Sequence, residues 1–249
     1  MAHWYLPSGE TLYKITGANG KQRDTSLRDA RKLDLAVGVT SILKVAASDN
    51  LTNWIVDQTI EACRLDPFCE MGCTPEDWAA RIKEKRKAEG TRVTDRGAKI
   101  HDAMETYYKS GGYHGDLIDY VEPIAGLLAT EFDEPWVAEQ SFNYKGLYGG
   151  KVDLHSRKGA GVVIDFKTKD SDDVSKYKGY DTQIMQLAAY REGLGIPNSR
   201  IGNVFVSANT PGIVTLEMYT EEQAQKAWEM FKCLLRYWHL ERGFKEVTI

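Results

Sequence analysis

The chain lacks the features that define several classes of protein. Its 249 residues include only four cysteines, so the sequence does not predict a disulfide-stabilised scaffold. No apolar run approaches the roughly 20 residues that a transmembrane helix requires. The first ten residues contain neither a basic segment followed by an apolar stretch nor an arginine-rich, acid-poor segment, so no targeting peptide is predicted. We therefore expect a cytoplasmic protein with no membrane partner.

A strong net charge is also missing. The formal net charge is only −4, which argues against a general nucleic-acid binder, but the charges are segregated along the chain. Residues 81–99 contain eight basic residues and three acids, whereas residues 116–139 contain seven acids and no lysine or arginine. The basic stretch could contact phosphates, or it could be an ordinary solvated helix face.

The cysteines do not form a recognisable metal motif. They are Cys63, Cys69, Cys73 and Cys233. The spacing of the first three matches neither a zinc site nor an iron–sulfur ligand pattern, so we expect reduced thiols and no cluster.

The hydrophobic pattern predicts an α/β fold, a mixed sheet flanked by helices. Apolar residues make up 42% of the chain, enough for a sizeable core. Strands are predicted at 136–144, 149–155, 162–169, 200–207 and 213–219, and helices at 183–190 and 221–240. Upstream, helices are expected at 75–88, at 95–109 and, with a break or fresh start at Pro123, at 117–130. We expect a mostly helical N-terminal region at 1–93 that packs on a core at 94–249, in one compact protein.

Two of these strands carry the chemistry. Glycines at 159 and 161 favour a hairpin between strands 149–155 and 162–169. Because side chains alternate along a strand, Asp165 and Lys167 share one face while Ile164 and Phe166 point to the other. In an antiparallel pair, Asp153 can lie beside Asp165.

Two adjacent carboxylates repel each other unless a cation lies between them. Oxygen ligands suit Mg²⁺ or Mn²⁺, which bind through one or two carboxylates and a substrate phosphate. Such an ion can activate water, while Lys167 orients that water or stabilises negative charge on phosphorus. The pattern indicates phosphodiester hydrolysis.

These residues resemble a known signature. Asp153 followed by Asp165-Phe166-Lys167 is similar to the PD-(D/E)XK nuclease motif, and the Gly-x-x-Asp segment that begins at Gly150 resembles its RecB-like form. Val152 stands where the motif name has proline. The resemblance implies a restriction-endonuclease-like PD-(D/E)XK core in which Asp153, Asp165 and the carbonyl of Phe166 hold the metal.

Two further segments resemble the same group. A helix predicted to begin near Thr94 or Asp95 carries Gly97-x-x-x-His101, and the resemblance implies that His101 is a third metal ligand, which favours Mn²⁺ over Mg²⁺. A later helix carries Gln186 and Tyr190, which resemble the Gln-x-x-x-Tyr motif that organises the site and holds DNA. An isolated histidine or an amphipathic helix would otherwise be read as structural.

Other charged residues are weaker candidates. Arg96 and Lys99 precede His101 and could hold DNA phosphates. Glu105 lies four residues after His101 on the same helical face. Glu139 lies on the strand before the hairpin. Both acids are candidates for an extra ligand or for support of the ligands, although Glu139 could equally be an exposed strand residue.

The function implied is a metal-dependent DNA exonuclease that uses one or two Mg²⁺ or Mn²⁺ ions at single-stranded DNA ends. Its role would lie in phage or bacterial DNA processing, recombination or repair, with a recombination protein as a potential partner. Three alternatives remain open: a structure-specific endonuclease, a non-catalytic DNA-binding subunit, and an enzyme that acts on RNA.

Overall fold

The computed structural model describes residues 3–46, 49–68 and 73–249, without the side chains of residues 49–51. The chain divides into two compact units. The first comprises Met1–Ala46 and Ile100–Ile249, and the second comprises Ala47–Lys99. This division differs from the predicted boundary at residue 93, because the N-terminal segment belongs to the same unit as the C-terminal half.

The described residues of the first unit form nine strands. They are β1 (Trp4–Tyr5), β2 (Lys14–Thr16), β3 (Gln22–Asp24), β4 (Ala36–Gly38), β5 (Val137–Tyr144), β6 (Tyr148–Ser156), β7 (Val162–Lys169), β8 (Arg200–Ser207) and β9 (Val214–Tyr219). β2 and β3 form a separate hairpin, and the other seven strands form one sheet in the order β1-β4-β6-β7-β8-β9, with β5 paired to β6. Because β4 and β6 are parallel, as are β7 and β8, while the remaining pairs are antiparallel, the sheet is mixed.

One strand of this sheet changes partner along its length. On one edge of β6, Tyr148 and Gly149 pair with β4, whereas the segment from Leu154 to Ser156 pairs with β7. β5 occupies the other edge from Tyr148 to His155. Residues 150–153 therefore lie where β4 and β7 separate, and this fork is where the predicted site residues begin.

Seven helices complete the described chain. They are α1 (Leu27–Lys32), α2 (Val39–Leu43), α3 (Asp49–Leu65), α4 (Pro75–Ser110), α5 (Ile118–Glu131), α6 (Asp181–Gly193) and α7 (Glu221–Glu241). α1, α2, α6 and α7 contribute to one buried apolar cluster with strand residues, and the end of α4 packs with α5 in another. The predicted α/β class, a mixed sheet flanked by helices, is confirmed.

Two helix predictions were wrong. α4 is continuous through residues 89–94, where the sequence predicts a boundary. The hydroxyl groups of Thr91 and Thr94 donate to the carbonyls of Lys87 and Gly90, one turn back in the same helix, so Thr94 does not cap a new one. α5 also continues through Pro123. Proline has no backbone N–H, so the helix lacks one hydrogen bond at Pro123. The buried residues of α5, which include Val121 and Ile124, pack in the core, and their burial offsets this loss.

In the second unit, Asp66 follows α3 and joins it to α4. Its carboxylate accepts from Arg81 at 3.2 Å and pairs with Lys85 at 2.8 Å. The indole of Trp78 donates to the Asp66 carbonyl at 2.6 Å. These contacts connect α3 with α4.

No helix among the described residues is both long and apolar enough to cross a membrane. Cys63, Cys73 and Cys233 are free thiols, and Cys69 lies outside the described residues.

Candidate active site

The two aspartates of the hairpin lie opposite each other where the ladder opens. The paired residues of β6 and β7 end at Leu154 opposite Ile164, and Asp153 and Asp165 are the next residues beyond this last pair. At that point the Asp153 carboxylate accepts a hydrogen bond from the backbone N–H of Phe166 at 2.9 Å. The Asp153 carboxylate thus takes the place of a backbone acceptor on the neighbouring strand. The hydrogen bond holds the carboxylate beside the fork.

Asp165 is almost fully buried, with 2% of its surface exposed, and its carboxylate is held from three sides. Lys167 pairs with one oxygen at 2.6 Å, and the Asn203 amide donates to that same oxygen at 3.0 Å. The Gln186 amide donates to the other oxygen, also at 3.0 Å. A buried carboxylate needs such partners to remain ionised.

α6 presents Gln186 and Tyr190 to the carboxylates. The two residues lie one turn apart and are buried, and the Gln186 amide donates to the Tyr190 hydroxyl at 2.9 Å. The carbonyl oxygen of Gln186 accepts from Lys167 at 3.1 Å. Burial raises the pKa of Tyr190 well above its usual value, so its hydroxyl stays protonated. Gln186 therefore positions both residues of the Asp-x-Lys pair.

Gly150 has a packing reason within the Gly-x-x-Asp segment. A Cβ at this position would lie 2.7 Å from the Tyr190 ring and 2.8 Å from the Phe142 ring. Only glycine lets α6 approach β6 this closely. Gly150 of the Gly-x-x-Asp segment thus leaves space for Tyr190 of the Gln-x-x-x-Tyr segment.

His101, on α4, faces the same carboxylates. Its Nδ1 lies 3.5 Å from an Asp153 oxygen, and its ring meets the Phe166 ring edge-on with centres 5.9 Å apart. Burial lowers the pKa of the imidazole, although the charge of Asp165 and a backbone hydrogen bond with Phe166 oppose this. The ring is therefore neutral at pH 7 and retains a lone pair that could bind a metal.

The chemistry of these donors fits a hard divalent cation. Burial, followed by the negative charge of Asp165, raises the pKa of the Asp153 carboxyl well above its usual range. A cation would relieve this repulsion. Within residues 3–46, 49–68 and 73–249, however, no three His, Cys, Asp or Glu side chains converge closely enough to hold a metal. Metal binding stays a prediction.

Glu139 lies near this centre and Glu105 lies further out. Glu139 lies between Ala138 and Gln140, which pair with Leu154 and Val152; it has a positive φ of 57°, and its carboxylate pairs with Lys151. Burial raises the pKa of Glu139, and the charge of Glu105 adds to this rise. Glu105 itself pairs with Lys109. After burial and the charge of Asp165, the charge of Glu139 also contributes to the raised pKa of Asp153.

The structure brings together seven predicted residues of the first unit. The seven are His101, Asp153, Asp165, Phe166, Lys167, Gln186 and Tyr190. Arg96 and Lys99 belong to the second unit, and their contact with DNA stays a prediction.

Sequence reasoning missed Asn203 and Tyr219. Asn203 is fully buried on β8, donates to both the carboxylate and the carbonyl of Asp165, and accepts from the Tyr219 hydroxyl at 2.8 Å. The signal was an amide among the apolar residues in the middle of a strand, where a buried polar side chain must have a partner.

Comparison with known proteins identifies no family. No protein-family model and no curated protein matches the chain. One similar solved structure, from Eubacterium rectale, is described as a proposed exonuclease; it is 13% identical over 61% of this chain and 69% of its own, with a TM-score of 0.42. Another, SSO0001, is 18% identical over 48% of this chain and 58% of its own, with a TM-score of 0.27. These similarities are too weak to assign an activity.

Proposed function

We propose that the protein is a metal-dependent deoxyribonuclease of the RecB-like PD-(D/E)XK group that hydrolyses phosphodiester bonds at single-stranded DNA ends. The observation that carries the proposal is the network in which Gln186 contacts Asp165, Lys167 and Tyr190. Residues from two sequence segments that independently resemble this group thus meet in one hydrogen-bonded cluster. If α6 had only a structural role, there would be no reason for Gln186 to contact both Asp165 and Lys167.

Each residue has a role in this proposal. Asp153, Asp165, His101 and the Phe166 carbonyl would hold Mg²⁺ or Mn²⁺, which when bound neutralises charge and lowers the pKa of water. Lys167 orients the attacking water and stabilises negative charge at phosphorus. Its ammonium is positioned by Gln186, because a donor must be held in place before charge develops in the transition state.

The test is a cleavage assay on linear single-stranded, linear double-stranded and covalently closed circular DNA, with Mg²⁺, Mn²⁺ or EDTA. Lys167→Met should reduce cleavage by at least ~100-fold while DNA binding changes little, because Lys167 acts on the transition state. Lys158→Met is the matched control, since Lys158 is exposed and pairs with Asp133 outside the network. Asp165→Asn should also remove cleavage.

The substrates separate the alternative functions. Metal-dependent loss of linear strands alone establishes an exonuclease, and nicking of closed circles establishes an endonuclease. Binding without cleavage under every condition would leave a non-catalytic DNA-binding subunit. Equal cleavage by Lys167→Met and wild type would refute the proposed site. A cytoplasmic location, a phage or bacterial origin and a recombination partner remain predictions from the sequence.

A further inference from the structure

Lys169 is the next residue of β7 that shares a face with Asp165 and Lys167. Residues two apart on a strand point to the same side, so Lys169 continues the row that begins at the buried carboxylate. Its side chain is half-buried. Two residues span ~6.6 Å along a strand, close to the spacing of neighbouring phosphates on a nucleic-acid strand.

Three aromatic rings surround the ammonium of Lys169. Its Nζ lies 4.9 Å from the ring centre of Tyr180, 5.0 Å from that of Tyr177 and 5.4 Å from that of Phe205. Within the described part of the chain, no carboxylate forms an ion pair with it. Burial, with a further contribution from Lys167, lowers the pKa of Lys169. The ammonium is thus partly desolvated with no acidic partner, and an anion would stabilise it.

The rings are held by the fold. Gly179, directly before Tyr180, donates its N–H to Glu217 at 2.7 Å, and a Cβ there would lie 1.9 Å from the Tyr219 hydroxyl. The ring of Tyr177 lies against Phe205, with centres 6.2 Å apart. Tyr180 nevertheless remains 40% exposed. An exposed ring on a fixed backbone can accept a flat partner with little loss of entropy.

We propose that Lys169, Tyr177 and Tyr180 form a subsite for an unpaired nucleotide next to the scissile bond, an inference that rests on the proposed function and names its substrate more closely. Lys169 contacts the phosphate of that nucleotide, and the exposed ring of Tyr180 stacks on its base. A base within a duplex is already covered by its stacked neighbours, so this subsite selects single-stranded DNA.

The test measures binding without cleavage. A fluorescein-labelled oligothymidylate is titrated in EDTA, and anisotropy gives the dissociation constant of the full chain and its variants. Tyr180→Ala should weaken binding by roughly 5- to 150-fold, the range for loss of one base–aromatic stack. Lys169→Met should lower the slope of log affinity against log salt concentration by about 0.7, the value for one phosphate of a single strand.

Matched variants separate binding from folding. Lys145→Met removes an ammonium 4.9 Å from the Tyr144 ring, outside the site, and should bind like wild type. Tyr180→Phe and Lys169→Arg should retain most of the affinity, because the ring and the charge remain. Circular dichroism identifies any variant that has not folded.

Modified oligonucleotides identify the contacts directly. One abasic position, moved along the strand, should weaken wild-type binding at one place and should add nothing in Tyr180→Ala. One neutral methylphosphonate linkage, moved along the strand in the same way, should weaken wild-type binding at one place. It should cause no further loss of binding in Lys169→Met. Wild-type affinity in folded Lys169→Met and Tyr180→Ala, or no oligonucleotide binding by wild type, overturns the subsite. Binding with these dependences but without cleavage in Mg²⁺ or Mn²⁺ would refute the nuclease function alone.

Discussion

Asn203 should contribute measurably to stability, because its amide is a buried partner of Asp165. Asn203→Leu keeps a similar volume but removes a hydrogen bond to a charged carboxylate, worth about 1.5–3 kcal/mol, and one to a carbonyl, worth about 1 kcal/mol. The Tyr219 hydroxyl retains Glu217 as an acceptor at 3.3 Å, which limits the further loss. We expect the free energy of unfolding to fall by about 2–4 kcal/mol and Tm by about 4–16 °C.

The assay is urea unfolding followed by tryptophan fluorescence, in which the midpoint should fall while the m-value is unchanged. Asn203→Asp provides a second test, because it places another carboxylate against Asp165. Its cost should exceed that of Asn203→Leu, because the two carboxylates repel each other. A loss below about 0.5 kcal/mol in Asn203→Leu would show that Asp165 does not depend on this amide.

Three other perturbations test separate contacts. Gly150→Ala should cost about 1–3 kcal/mol, because its methyl group collides with Tyr190; an unchanged Tm would contradict this packing. Hydrogen bonds from Arg81 lower the pKa of Asp66 from 3.8 to about 2, so this stabilisation is complete above pH 3.8 and is lost as the pH falls through about 2. Asp66→Asn should remove that step from an acid titration followed by circular dichroism. His101→Ala should alter the dependence of cleavage on Mn²⁺ and Mg²⁺, and superimposable metal titrations would leave the ring a structural role.

The sequence predicts the hairpin of β6 and β7 well because local rules determine it. Alternation sets the faces of Asp165 and Lys167, and glycines mark the turn. A role for Gln186 in organising the site was expected only from a resemblance, and its contacts with Asp165 and Lys167 were not predicted, since nothing local to α6 indicates which strand it meets. Asn203 was missed for a similar reason: its partner lies 38 positions away on another strand.

The wrong helix boundary in α4 has a local cause. Thr94 and Asp95 are good capping residues, but a threonine hydroxyl can equally bond to a carbonyl within its own helix. Composition does not distinguish the two outcomes, and in this chain the hydroxyl donates to Gly90. The division into units could not be predicted from the sequence either. A strand as short as β4 gives only a weak alternation pattern, and it is recognised as part of the sheet only through its pairing with β6, far along the chain.

The pairing of β4 with β6 has a consequence for synthesis of the protein. Val37 pairs with Tyr148, so β4 leaves the ribosome long before its partner exists. Residues 47–99, which intervene, form a unit of their own and can fold during this delay. The sheet must then close over a long stretch of chain, which makes its assembly slow relative to local helix formation. Until β6 appears, β4 has only β1 as a strand partner, and its buried residues stay available to chaperones or to aggregation.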